Sequence, residues 1–449
     1  MRSSHKLSIF IGGVFVAFIG TFGTYQYLQG EGPHRGSDSV KKSNRLEESK
    51  ITSKTEIVEN EPSALFNDPA INQAWGLKKS DAARAWSVSK GSRSVVVAVI
   101  DTGADVSHED MDENIWSNPG ETGKDSKGRD KATNKVDDDG NGFVDDVHGW
   151  NFVSNNNSLT DNHGHGTHIA GIIGAKAGNN KGISGISPEV SLMILKYYDP
   201  KVSGTDNLKN TVASIKYAVK MGANIINYSG GGTEFSQEEK DAIVEAEKKG
   251  ILFVAAAGNE RSNSDQFKYY PADYGLSNIV SVTAIDPSTE VLSSSNYGVE
   301  TVDLAAPGQN ILSCLPGNTY GYMTGTSQAT AFVSGAAALV MARREAFKAV
   351  EIKKYILSTG DAVASLSTKT RTSRQLNLYK ALTILDQGLG LTGVAASNRS
   401  GASNQDFSVD PNVAKKDSTS EMTTFGRSLL KNMEKMGRIG DKQNANPPQ

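Results

Sequence analysis

Three polar residues stand, in chain order, where small neighbours leave room for a substrate backbone. Asp101 directly follows the apolar run Val95 to Ile100 and precedes Thr102-Gly103. His165 lies in His163-Gly164-His165-Gly166-Thr167-His168, ahead of the small-residue run IAGIIGA. Ser327 lies in Gly325-Thr326-Ser327-Gln328-Ala329-Thr330, ahead of AFVSGAAALVMA. A serine hydroxyl is a poor nucleophile until a base takes its proton. A histidine can do so near neutral pH. A buried carboxylate can hold the imidazole in the right tautomer and steady the cation that forms. Small side chains admit a peptide backbone, and a helix starting at Ser327 would aim N–H groups at developing negative charge. Singly, each residue has a plainer explanation, such as an Asp closing a turn or a Ser capping a helix. Together they point to acyl transfer onto a serine.

A second chemistry is written in Asp137-Asp138-Asp139-Gly140-Asn141-Gly142-Phe143-Val144-Asp145-Asp146. Oxygen ligands fall at alternate positions with a Gly at the sharp turn, the pattern of calcium loops. Asp137, Asp139 and Asn141, with Asp145 or Asp146, are the expected Ca²⁺ ligands. An acidic, solvated loop is the plainer reading of the same residues.

These residues need elements to position them. Short apolar runs recur at 94–100, 192–195, 223–227, 251–256 and 279–282. Between them lie helical stretches, including 208–221 and 236–249, the second opening with the capping-box pattern Ser236-Gln237-Glu238-Glu239. Continuous β-branched runs alternating with helices predict an α/β fold, three layers with a mostly parallel central sheet flanked by helices on both faces. Functional residues should then lie at the carboxyl ends of the strands. The single cysteine, Cys314, excludes an internal disulfide framework or a Cys-rich zinc site. A net charge of −3 argues against a nucleic-acid partner.

The flanks differ in kind. Residues 7–25 form an apolar run after Arg2, His5 and Lys6, so 1–28 reads as a signal peptide or a signal anchor. Either form places the rest outside the cytoplasm, secreted or held at the membrane by its N-terminus. Residues 29–64 are polar and charged, a linker or short pro-segment, and 65–385 carry the core. Residues 386–449 read as a disordered polar tail in which 422–436 could form a short amphipathic helix.

The blocks AVIDTGADVSHEDM, HGHGTHIAGIIG and GTSQATAFVSGAAAL resemble the three signature blocks of the subtilisin-like serine proteases, or subtilases. The resemblance spans about residues 65–385 and implies a subtilisin-like fold. It assigns orientation to Asp101, general acid–base work to His165, nucleophilic attack to Ser327 and a structural role to His168. Ala255 to Asn259 (AAAGN) match the family's oxyanion block, which makes the Asn259 amide a donor to the tetrahedral oxyanion beside the Ser327 N–H. Ser229-Gly230-Gly231 and Ser203-Gly204-Thr205 match the segments that pair with an extended peptide or protein substrate. Tyr269 falls near the bottom of the primary pocket, where the family commonly has a small residue. Gly230, Gln328 and Ala331 also depart from the usual Leu, Met and Pro. Asp110 and Asn179 match a further calcium site; Asn151, Ser154 and Asn156 stand where a third would need carboxylates.

The resemblance therefore implies an exported, calcium-stabilised, monomeric serine endopeptidase. Residues 30–64 are too few for the folded pro-domain that many subtilases carry, so folding without one is expected. Two other readings stay open: a catalytically silent scaffold on the same fold, and a calcium-dependent adhesion module built on the Asp-rich loop.

Overall fold

The computed structural model describes residues 61–384. The expectations for 1–28, most of 29–64, and 386–449 lie outside the described residues. Among the described residues, no helix is long and apolar enough to cross a membrane.

The strands are β1 (Gly91–Asp101), β2 (Gly149–Asn151), β3 (Glu189–Lys196), β4 (Ile225–Tyr228), β5 (Leu252–Ala256), β6 (Ile279–Ile285), β7 (Leu304–Pro307), β8 (Ile311–Leu315), β9 (Thr319–Met323), β10 (Asp361–Ala362) and β11 (Arg374–Gln375). The helices are α1 (Trp75–Lys79), α2 (Ala82–Trp86), α3 (His165–Gly174), α4 (Asn207–Lys220), α5 (Gln237–Lys248), α6 (Thr326–Arg343), α7 (Ala349–Thr359) and α8 (Leu378–Thr383). Nine strands form one sheet in the order β10-β11-β7-β6-β5-β4-β1-β3-β2, parallel throughout except at the β10–β11 edge. β8 and β9 make a separate antiparallel hairpin.

All five apolar runs become sheet strands, and alternation along them explains why each run is apolar throughout. Val97 and Val99 face one core with Ile194, Val254 and α6, whereas Ala98 and Ile100 face another with Leu195, Phe253 and the apolar stripes of α4 and α5. A strand covered on both faces has no polar side to show. α6 is buried without a break from Thr326 to Val340, so its Ala, Gly and Ser residues let the helix lie close against the sheet. The 208–221 and 236–249 stretches are α4 and α5. Half of the expected capping box forms at α5: the Glu239 N–H donates to Ser236 Oγ, but the Glu239 carboxylate turns away to accept from Tyr274 Oη at 2.7 Å.

Candidate active site

β1 ends in the middle of the sheet, between β3 and β4, so Asp101 emerges at its carboxyl edge. The side chain is 3 % exposed and its Oδ1 accepts from His165 Nδ1 at 2.7 Å and from the Thr102 N–H at 2.8 Å. His165 opens α3. The helix can approach because residue 166 is Gly: a Cβ there would collide with the Gly103 carbonyl and sit 3.1 Å from the Asp101 Cβ. Burial pushes the His165 imidazolium down. The charge of Asp101, the hydrogen bond to it and the charge of Asp161 outweigh burial, and the pKa lies above the usual histidine value. His168, on the same helix, is fully buried and gives its Nε2 to the carbonyls of Ile311 and Gly321 in the β8–β9 hairpin. Burial drives its pKa to about 3, so it is a neutral tie between helix and hairpin.

Asp161 is a residue that sequence reasoning missed. Its Oδ1 accepts from Thr102 Oγ1 and from the His163 and Gly164 N–H groups; its Oδ2 accepts from the Thr167 N–H and hydroxyl. The Gly166 N–H closes the network on Thr102 Oγ1 at 2.9 Å. One buried carboxylate thus caps the start of α3 and pins the Asp101 loop to it. An acidic residue four positions before the helix was the available signal.

Ser327 lies in the first turn of α6 and is 7 % exposed. Its hydroxyl donates to the Ser229 carbonyl at 3.0 Å, and Ser229 Oγ returns a bond to the Ser327 carbonyl at 3.3 Å. A hydroxyl has one proton, so in this rotamer Ser327 does not donate to His165. Rotation about χ1 would free the hydroxyl from the Ser229 carbonyl, and catalytic hydrogen bonds are often loose in enzymes without substrate. Asn259 follows β5. Its Oδ1 accepts from the Thr326 N–H and hydroxyl at 3.1 and 3.2 Å, which fixes the amide beside the start of α6 and leaves the NH₂ end for another acceptor.

Ser229, Gly230 and Gly231 continue β4 beyond Tyr228, and Ser203 and Gly204 are exposed on the loop after β3. Both segments therefore border the carboxyl edge. Tyr269 is half-buried beside Gly231 and Gly258.

Two further groups were expected to bind metal. In the acidic insert, carboxylate oxygens of Asp137, Asp139 and Glu121 come within 4.8 Å of one another. Glu121 was not foreseen. It is fully buried; Oε1 accepts from the Asp138 N–H at 2.7 Å, while Oε2 has no partner. Burial first, then the charges of Asp146 and Asp139, raise its pKa. Asn141 joins the edge of the cluster, its backbone N–H donating to Asp137 and Asp139. Asp146 is instead taken up by Asn118, Asn141 and the Tyr217 hydroxyl, and Asp145 accepts from the Lys135 N–H, so neither stands in the trio. An orphaned buried carboxylate oxygen facing two more carboxylates fits a hard divalent cation. At the second group Asp110 Oδ1 accepts from Asn179 Nδ2 at 2.7 Å, and burial lifts the Asp110 carboxyl to about 6. Asp68, also unforeseen, accepts from the Gly178 and Asn179 N–H groups in the same loop.

Comparison with known proteins agrees with this architecture. A profile described as "Subtilase family" matches residues 92–388. The thermophilic serine proteinase of Bacillus sp. (strain AK1) is 32 % identical over 77 % of this chain and 80 % of its own length. Thermitase of Thermoactinomyces vulgaris is 34 % identical over 70 % of this chain and 98 % of its own. The major intracellular serine protease of Bacillus subtilis (strain 168) is 36 % identical over 66 % and 82 %. With that match across the sheet and both flanking layers, the chain belongs to the subtilase family and is a subtilisin-like serine protease.

Proposed function

We propose that the protein is an exported serine endopeptidase in which Asp101, His165, Ser327 and Asn259 form one catalytic unit. A peptide runs as an extra strand along Ser229-Gly230-Gly231, with Ser203-Gly204 on its other side. The Ser327 hydroxyl swings from the Ser229 carbonyl to His165 Nε2. It loses its proton there as Oγ bonds the scissile carbonyl carbon. The oxyanion receives the Ser327 N–H and the Asn259 NH₂, donors already fixed before the charge develops. His165 returns the proton to the leaving amine, and water then splits the acyl-enzyme by the same route. Asp101 holds Nδ1–H toward itself, so that Nε2 is the basic atom.

The observation that carries this reading is the 2.7 Å bond between His165 Nδ1 and the buried Asp101 at the carboxyl end of β1, with the Ser327 hydroxyl held on the Ser229 carbonyl just past the end of the neighbouring strand β4. Calcium, when bound, would neutralise clustered carboxylates and tie loops together. Glu121, Asp137, Asp139 and Asn141 are suited to hold one ion; Asp110, Asn179 and Asp68, whose oxygens already accept from Ile183, Lys181, Ser184 and the 178–179 N–H groups, would hold a second only by giving up some of those bonds. Export rests on the basic-then-apolar start of the chain, and the peptidase unit is 65–385.

Labelling by a fluorophosphonate probe tests the catalytic unit. The expected result is modification of Ser327, with peptide hydrolysis lost by about four to six orders of magnitude in Ser327→Ala. The rotamer of Ser327 is the one feature that favours the silent-scaffold reading; a folded, calcium-loaded protein that stays unlabelled would establish it.

A further inference from the structure

We propose that Tyr269 closes the crevice meant for the side chain just before the scissile bond, so that cleavage follows Gly, Ala or Ser and excludes aromatic and long aliphatic residues. This rests on the peptidase reading above and names its substrate class. β4 and β5 run parallel with Tyr228 opposite Ala255, and their continuations, 229–231 and 256–258, run on past the sheet edge, where the Ser229 carbonyl meets the Ser327 hydroxyl; the gap between these two continuations is the crevice meant here. Side chains alternate along an extended peptide. On the peptidase reading, a residue whose carbonyl reaches Ser327 and Asn259 would direct its side chain into that gap.

The Tyr269 ring stands between the two walls. A Cβ built on Gly231 would lie 2.5 Å from its Cε1 and 3.0 Å from its Cζ; one built on Gly258 would lie 3.0 Å from its Cδ2. Both glycines therefore touch the ring edge to edge, and the crevice is spanned. Two further tyrosines back the first wall: a Cβ on Gly230 would meet the Tyr197 hydroxyl at 2.5 Å and that of Tyr228 at 2.9 Å. Tyr269 is not free to leave. Its N–H donates to Asp273 Oδ2 at 2.8 Å and its carbonyl accepts from the Asp273 N–H at 3.0 Å. The next residue, Tyr270, exchanges two backbone bonds with Gly232, at 2.7 and 2.9 Å, and stacks on Tyr274. Burial pushes the Tyr269 phenol up, so the plug is neutral at working pH.

The test is a peptide series differing only at the residue before the cut, read as kcat/KM. Ala, Gly and Ser should exceed Phe and Leu by at least about tenfold, the scale at which a filled pocket rejects extra methylenes. Phe or Leu equal to or better than Ala overturns the proposal. Tyr269→Gly should raise the Phe-to-Ala ratio about tenfold or more, and Tyr269→Phe should keep the exclusion, because the ring rather than the hydroxyl takes the space. A folded Tyr269→Gly with an unmoved ratio also overturns it; should that variant fail to fold, the wild-type series decides alone. No cleavage of any peptide together with no fluorophosphonate labelling would overturn the peptidase reading, and this inference with it.

Discussion

At the catalytic edge and in the acidic insert the same fold buries carboxylates with opposite results. Asp161, 7 % exposed, collects five donors from Thr102, His163, Gly164 and Thr167. Glu121, fully buried, collects one and leaves Oε2 without a partner beside two further carboxylates. A buried polar group must be satisfied or it costs about 1–3 kcal/mol, more when charged. The first region satisfies itself with helix-terminal N–H groups. The second has fewer donors than buried acceptors, a shortfall that the proposed cation would make good. The catalytic unit should therefore be self-contained, and the insert should depend on its solution.

After loss of Ser327 itself, the largest effect expected on the self-contained side comes from Asn259. Its amide is already oriented by Thr326, so Asn259→Ala should lower kcat by about 10² to 10³ with KM little changed, roughly 3 kcal/mol of barrier. Steady-state kinetics on one peptide substrate checks this. An equal rise in KM would mean that Asn259 binds ground state and transition state alike.

Asp161 comes next. Asp161→Asn keeps the shape but turns an NH₂ toward backbone N–H donors, and should cost about 2–3 kcal/mol in denaturant unfolding. Its charge also helps raise His165, so its loss lowers that pKa. If His165 is the base, as proposed, it must be neutral to work, so activity should rise with pH through its pKa. The acid limb of kcat/KM should lie above the ordinary value near 6.5 in the wild type and move to lower pH in the variant. The stability sign follows. A raised histidine pKa stabilises the fold below its ordinary value, and that contribution is lost as pH rises through the folded value. The variant's deficit should thus be larger at pH 6 than at pH 9.

The insert should answer to calcium with a change of sign. Stripping calcium with a chelator should lower stability by about 2–3 kcal/mol, the gain expected near a hundredfold excess over Kd. Glu121 has a raised pKa, so its charge opposes folding when nothing balances it. Glu121→Gln should therefore melt higher than wild type in chelator and lower in calcium. Calorimetry in both buffers reads this. A variant that is less stable in both would make Glu121 an ordinary structural residue and erase the contrast between the two regions.

How far the sequence reaches follows the same division. The five buried strands were legible because a strand covered on both faces must be apolar throughout; Asp101, His165 and Ser327 stood out because each carries its small neighbours with it, and of these the structure joins Asp101 to His165 by a hydrogen bond. What was not legible depends on partners distant in sequence. Glu121 meets Asp137 and Asp139 only through the fold of the insert, and Asp68 meets the 178–179 loop across 110 positions. β7, only four residues long, holds too few positions for a pattern and is a strand because β6 and β11 pair with it. The spacing that suggested Asp145 and Asp146 treated the loop as an isolated motif; in the fold Asp146 accepts from Asn118, Asn141 and Tyr217 and Asp145 Oδ1 from the Lys135 N–H, while the carboxylates drawn together are those of Glu121, Asp137 and Asp139.

The smallest effect tests the self-contained edge against an oxidant instead of a chelator. Gln328 follows Ser327, is 1 % exposed, and fills a position where a thioether would stand beside the nucleophile. Oxidation of such a Met to the sulfoxide would put a bulky polar group against the reacting carbonyl. With Gln there, brief peroxide treatment should leave most activity in the wild type, while Gln328→Met should lose most of its own. Met323 is the internal control, since it approaches Gly164, one residue before His165. If the wild type loses activity and Met323→Leu restores resistance, oxidation reaches the histidine side of the unit instead of the serine side. If neither protein is affected, Gln in place of Met at position 328 confers no protection, and the independence of this edge from its solution rests on its hydrogen bonds alone.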